Sequence, residues 1–414
     1  MRPRTLLTVL TAVNLLNFVD RQILFAVFPA IQRDLSLSDA ELGLAASAFI
    51  VVYMIVTPIA GLLGDRLRRL PVAAAGVALW SAATLVSATV HGFPALLGAR
   101  ALVGVGEASY APLSAAIISD SFPSAQRGSR LAIFNVAVPV GSALGYVAGA
   151  IIAEHFGWRA AFFMVGAPGF ALAAAMLLFT EPSRGAMERS EHAEPSRRTL
   201  AALLADPVYA ITTAAMSALT FVLGALAAWM PTFLVRLHGL SLADAGTSFG
   251  LLTAATGLAG TALGGWLGDR ARRRHPAGYL RVSGVGLLAA APFAALAVFT
   301  EQASVFWCAT ALAEILVFLN VGPLNAVIVG VAAPAIRATA VAVNILAIHL
   351  LGDALSPWVV GALSDRLGLR PALSIMPPML LLSGALCLAA GRFVGEPRLE
   401  RDRGKGQNLA EPRN

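Results

Sequence analysis

Four ionisable residues stand in runs that are otherwise apolar: Asp20 and Arg21 in TLLTVLTAVNLLNFVDRQILFAV, and Arg100 and Glu107 in PALLGARALVGVGEASYAPL. A charge at mid-bilayer costs at least ~2.5 kcal/mol, so each is a candidate for function by default. Arg100 and Glu107 are seven residues apart. On a helix that is two turns, so both lie on one face, about 10 Å apart along the axis. A flexible arginine on that stripe can serve Glu107 and also an acid on a neighbouring helix. Burial favours the neutral form of a carboxylic acid, and an adjacent arginine favours the charged form. An arginine that changes partner with conformation therefore couples proton binding to that conformation. Asp20 and Glu107 read as alternative proton carriers, and Arg100 as the charge they compete for. The competing reading is a static ion network holding two helices together. Arg21 does not share the helical face of Asp20 and is set apart as a candidate substrate contact.

Other polar groups in apolar runs form a second set. His349 and Asp353 are four apart and share a helical face. They suit a second titrating pair, a contact to a substrate headgroup, or a hydrogen-bonded pair of no further role. Asn344 lies just over one turn earlier, and Glu314 stands alone in its run. Cys308 and Cys387 lack any CxxC or metal-ligand spacing and read as small buried hydrophobes. There is no Walker loop, HExxH or GxSxG, and GVGEAS lies inside an apolar run rather than after a strand. Neither an enzyme, a cofactor nor a metal site is expected.

The elements that carry these residues are membrane spans. Of 414 residues, 57% are hydrophobic and 13% charged, where a soluble domain carries about 25% charged. Mean hydropathy is +0.75. Apolar runs long enough for ~30 Å of hydrocarbon fall near 5–27, 41–64, 71–91, 94–119, 130–153, 158–180, 207–230, 244–268, 280–300, 304–332, 340–363 and 371–394. The expected fold is all-α, with about twelve transmembrane helices. The first run is too long and lacks a small-residue cleavage site for a signal peptide, so it is read as a retained span. Net charge is +7, yet no basic stripe with interleaved aromatics points to nucleic acid. With the N-terminus inside, about 23 Lys/Arg fall in cytoplasmic segments, 5 outside and 2 in spans, of 30 in all. That asymmetry places both termini in the cytoplasm, and a bacterial inner membrane is the expected location.

The chain is also a repeat. DLSLSDAELG after span one matches GLSLADAGTS after span seven, setting Asp39 against Asp244. GLLGDRLRR (61–69) matches GWLGDRARR (265–273), setting Asp65 against Asp269, and Pro112 and Pro123 match Pro323 and Pro334. The expected division is a six-helix bundle over 1–180, a cytoplasmic linker over 181–206, a second bundle over 207–394 and a tail over 395–414. Paired halves with a site between them are a transporter architecture. By the same alignment Asp20, Arg100 and Glu107 face Ala225, Ala311 and Phe318, so the charge is confined to one half. Gly141, Gly145 and Gly149 repeat at a spacing that lets helices approach closely in lipid. The WMP at 229–231 suits a break at the end of span seven or an interfacial tryptophan.

The loop after span two has the G-x-x-x-D-R-x-x-R pattern, repeated in the second half, and span four has Arg100-x-x-x-Gly104-x-Gly106. Both resemble signatures of the major facilitator superfamily. NFVDRQ (17–22), ALVGVGEASYAPL (101–113), FNVAVPVGSALGYVAG (134–149) and HLLGDALSPWVVG (349–361) resemble its spinster branch of lipid transporters. The resemblance implies proton coupling through Asp20, Arg100 and Glu107. It also implies a cytoplasmic latch at Asp65, Arg66, Arg69 and Asp120, with Asp269 and Arg273 in the second half. Physically, a carboxylate at such a position can accept N–H bonds from a helix N-terminus of the opposite half. The expected function is proton-coupled movement of an amphipathic, lipid-like molecule by a monomer whose partners are substrate, protons and membrane lipid. The alternative is a proton-linked carrier of small organic anions or drugs, for which more mid-membrane positive charge than Arg21 and Arg100 would be expected.

Overall fold

The computed structural model describes residues 3–183, 203–332 and 336–394. Most of the expected linker, the expected tail and Pro334 lie outside the described residues. Among the described residues the chain is helical and has no strand. The first half comprises Pro3–Ala26, Asp39–Arg66, Arg69–Ser87, Phe93–Ser121, Ser124–Phe156 and Trp158–Leu177. The second comprises Pro207–Leu237, Leu242–Arg274, Gly278–Phe299, Ala303–Val331, Thr339–Leu367 and Leu369–Arg392. These are spans one to twelve. Eleven of them are long and apolar enough to cross a membrane; the eighth, Leu242–Arg274, is not among the eleven. Several of its glycines are required by packing. A Cβ on Gly246 would lie 2.3 Å from the Cβ of Ala150, and one on Gly260 would lie 2.5 Å from the carbonyl oxygen of Ile315.

Proline explains most of the breaks. It cannot donate to the carbonyl four residues earlier. Span four is interrupted at Ser109 ahead of Pro112, and span ten at Leu319–Asn320 ahead of Pro323. Span eleven turns into a π-helix over His349–Asp353 ahead of Pro357, with Ala354 N–H bonded to His349 O at 2.9 Å. Pro231, by contrast, is carried inside span seven, which runs on to Leu237. Trp229 is buried, with Nε1 donating to Pro357 O at 3.0 Å. The expected break and the expected interfacial anchor are therefore both corrected. Cys308 is exposed on span ten, not buried as expected.

Large apolar side chains such as Ile59, Leu62, Met164 and Leu258 are more than half exposed, which only a lipid surround makes cheap. Gly141, Gly145 and Gly149 pack span five on span one: their Cβ positions would meet Leu15 O at 2.7 Å, Val19 O at 2.7 Å and Ile23 Cγ1 at 2.9 Å. The halves meet closely toward the end of the molecule that carries Asp39. There, a Cβ on Gly43 would lie 2.2 Å from Pro357 O, and one on Gly361 2.3 Å from Asp39 O.

Candidate transport site

A cavity of about 650 Å³ lies between the halves. Its first-half wall holds Arg21 and Arg100 with Phe18, Phe49 and Tyr53; its second-half wall is mostly apolar, with Leu219, Leu223, Leu324, Ile345 and Ile348 around His349 and Asp353. The charged wall contains two ion pairs. Arg21 Nε sits 2.7 Å from Glu107 Oε2, and Arg100 Nη1 sits 3.5 Å from Asp20 Oδ1. Thr84 Oγ1 donates to the other oxygen of Asp20 at 2.5 Å. Asp20, Arg100 and Glu107 are each 1% exposed, and the Arg21 side chain is 24% exposed. The acids thus lie behind the arginines, and the arginines line the cavity.

Aromatic faces hold the guanidinium groups in place. The Arg21 guanidinium carbon lies 5.2, 5.1 and 4.9 Å from the ring centres of Phe18, Phe49 and Tyr53. Arg100 lies 5.4 Å from Phe49, so that one ring contacts both cations. Rings at this distance attract a cation through their quadrupole. Two buried polar atoms, Glu107 Oε1 and Arg100 Nε, have no hydrogen-bond partner among the described residues. Orphans within an ion network mark one that is not in its most bonded arrangement.

This differs from the expected pairing. Arg100 holds Asp20, while Arg21, which the sequence set apart, holds Glu107. Helical neighbours point about 100° apart, and the cavity wall curves enough to give each its own acid. Thr84, Phe49 and Tyr53 carried no sequence signal, since lone hydroxyls and aromatics abound in spans.

The remaining candidates separate. His349 Nδ1 is 2.8 Å from Asp353 Oδ2 in the π-helical turn, facing the cavity. Asn344 does not join them: it is buried and donates to Thr213 Oγ1 at 3.0 Å, tying span eleven to span seven. Glu314 is 2% exposed inside the second half and accepts from Thr253 at 3.0 Å and Thr256 at 2.5 Å. At the Asp65 end, Arg69 Nη2 bonds Asp120 Oδ2 at 2.5 Å and Arg69 Nε bonds Glu181 Oε1 at 3.3 Å. Glu181, which the sequence reading left in the linker, completes this cluster. Tyr279 donates to Asp269 at 2.8 Å. These bonds all stay within one half, and Asp65, Arg66 and Arg273 are exposed.

The Asp39 end is different, because there the bonds cross between halves. Asp39 is 4% exposed. It pairs with Arg236 of span seven at 2.6 and 2.7 Å and accepts from Ser364 of span eleven at 2.5 Å. Tyr146 of span five donates to Ala227 O of span seven at 2.8 Å. A cavity between the halves with a mostly apolar wall, ion pairs on the other wall and closure at one end fits a transporter of the alternating-access kind, and comparison agrees. The Major Facilitator Superfamily pattern matches residues 10–357. Human protein spinster homolog 1 is 36% identical over 95% of this chain and 79% of its own length. Zebrafish (Danio rerio) protein spinster homolog 3 is 36% identical over 87% of this chain and 76% of its own. The chain belongs to the spinster family of major facilitator transporters. A bacterial homolog to the human lysosomal transporter Spinster, in an inward-facing and unoccupied conformation, superposes with a TM-score of 0.86 at 26% identity, covering 95% of this chain and 97% of that one. A D-xylose-proton symporter shares the fold alone, with a TM-score of 0.74 at 17% identity.

Proposed function

We propose that this transporter couples proton movement to the passage of an amphipathic, lipid-like substrate of the lysolipid or sphingoid type. The observation that carries the reading is the pair of crossed ion bridges on one cavity wall. When Glu107 takes up a proton its bridge to Arg21 weakens, and the partly exposed guanidinium becomes available to an anionic headgroup. When Asp20 takes up a proton, Arg100 is released in the same way. The apolar wall opposite suits a tail, with His349 and Asp353 as a further polar contact. Proton and headgroup thus act on the same arginines, which is the differential binding that coupling requires. The arginine asymmetry supports a chain with both termini in the cytoplasm of a bacterial inner membrane. Asp65, Arg66, Asp269 and Arg273 then lie at the cytoplasmic end, where they would form a latch in the opposite conformation.

Purified protein in liposomes tests this. Lysolipid or sphingoid-lipid flux accelerated by an imposed pH gradient is expected. Flux restricted to small organic anions or dyes would replace the substrate class, and lipid flux indifferent to the gradient would remove the coupling.

A further inference from the structure

Two exposed carboxylates occupy equivalent places at the Asp39 end. Glu154 stands three residues before Gly157 at the close of span five, and Asp365 three residues before Gly368 at the close of span eleven. Both glycines take positive φ, 83° and 88°, and an arginine follows each two residues later, at 159 and 370. Each carboxylate reaches into the other half. Asp365 Oδ1 and Oδ2 accept from the backbone N–H groups of Asp39 and Ala40 at 2.9 Å each, in the first turn of span two. Glu154 Oε2 accepts from the N–H of Ala243 at 2.6 Å, in the first turn of span eight. The receiving turns are capped alike by Ser38 and Ser241. The first N–H groups of a helix lack intrahelical partners and carry the positive end of its dipole.

We propose that Glu154 and Asp365 are a symmetry-related pair of positioning residues for transport, each latching the N-terminus of a span in the opposite half and so holding the Asp39 end shut. Three features support a latch rather than a fixed strut. Both contacts cross the interface that must part. Both carboxylates are exposed, so water replaces the lost bonds when they let go. Their placement on the two-fold repeat makes the halves separate evenly. Asp34 is the contrast: it is exposed at the same end, but its bonds to Trp158 at 3.2 Å and Arg159 at 2.5 Å stay within the first half.

The test uses the full chain with spin labels on cysteines at His91 and Gln302, across the Asp39 end, and at Gly128 and Arg272, across the Asp65 end, with Cys308 and Cys387 replaced. E154A/D365A should raise the population open at the Asp39 end at least tenfold. Distances there lengthen and distances at the Asp65 end shorten. Each single variant should give part of the shift, and the shape-conserving E154Q/D365N a smaller one. E154D and D365E should restore the parent distribution in part. D34A should leave it unchanged. If the double variant loses thermal stability with its distance distributions intact, or if D34A moves them equally, the proposal is overturned. Should E154A/D365A fail to fold, E154Q/D365N decides by the same readout. None of this depends on substrate or protons.

Discussion

The two halves follow one plan and differ in what they bury. In the first, spans one and four bring two acids and two arginines to a single wall. In the second, the equivalent positions are Ala225, Ala311 and Phe318, and the lone deep acid, Glu314, is satisfied by two threonine hydroxyls. A bundle that needed ions for its stability would need them in both halves. The buried ion pairs on spans one and four thus make the first half the candidate for coupling, while the second supplies a mostly apolar surface around the His349–Asp353 pair.

The largest break in that comparison is Arg100→Ala. It leaves Asp20 with Thr84 as its named donor, and removing one partner of a buried ion pair costs about 3–5 kcal/mol. Thermal melting should fall steeply at neutral pH and recover in acid, where Asp20 is neutral. A static pair would show the same melting profile, so the pH response of flux decides: an Arg100→Ala protein that keeps the parent's response would make the pair a static network. Arg21→Ala comes next. Because Arg21 is the more exposed cation, the expected result is a KM for an anionic-headgroup lipid raised about tenfold, roughly the 1.4 kcal/mol of one charge-assisted contact. An uncharged substrate should show little change. An equal effect on both would make Arg21 a packing residue.

Glu314→Gln sharpens the same contrast from the other side. The amide oxygen can accept from one of Thr253 and Thr256 and the amide NH2 can donate to the hydroxyl oxygen of the other, so the loss should be within about 1 kcal/mol, and the pH response of flux should be that of the parent. A lost pH response would move coupling into the second half. The smallest effect belongs to Asp34, where Arg159 holds the carboxyl below the usual range. A depressed carboxylate stabilises above its unfolded pKa, and that contribution fades as pH falls through the lower, folded value. At 44% exposure the pair contributes less than ~1 kcal/mol. Asp34→Asn should lower melting slightly at pH 7 and not at all near pH 2, with the difference reduced by salt.

Much of this was legible in the residues themselves. Charges in apolar runs identify Asp20, Arg21, Arg100 and Glu107, because nothing in lipid hides them. The duplicated GLLGDRLRR and GWLGDRARR segments give the two halves. Pro112 and Pro323 mark matching positions in the two halves, while the breaks they cause in spans four and ten appear only in the structure. The pairing within the site was not legible. Whether Glu107 meets Arg100 or Arg21 depends on how span one is rotated against span four, which a single helix pattern does not contain. Asn344 fails to join His349 because the helix between them is regular up to Ile348, and five residues at about 100° each turn the two side chains to different faces. The bonds at the Asp39 end were missed because Glu154, Arg236 and Asp365 look like ordinary charges near loops, and only the docking of the halves gives them partners.

The most direct test of the account is pH-gradient-driven lysolipid flux in proteoliposomes, comparing the parent with D20N/E107Q. Both bridges are then fixed in a state without carboxylate charge. The account predicts that the gradient no longer accelerates flux, while exchange without a gradient persists. A gradient response equal to that of the parent would contradict it.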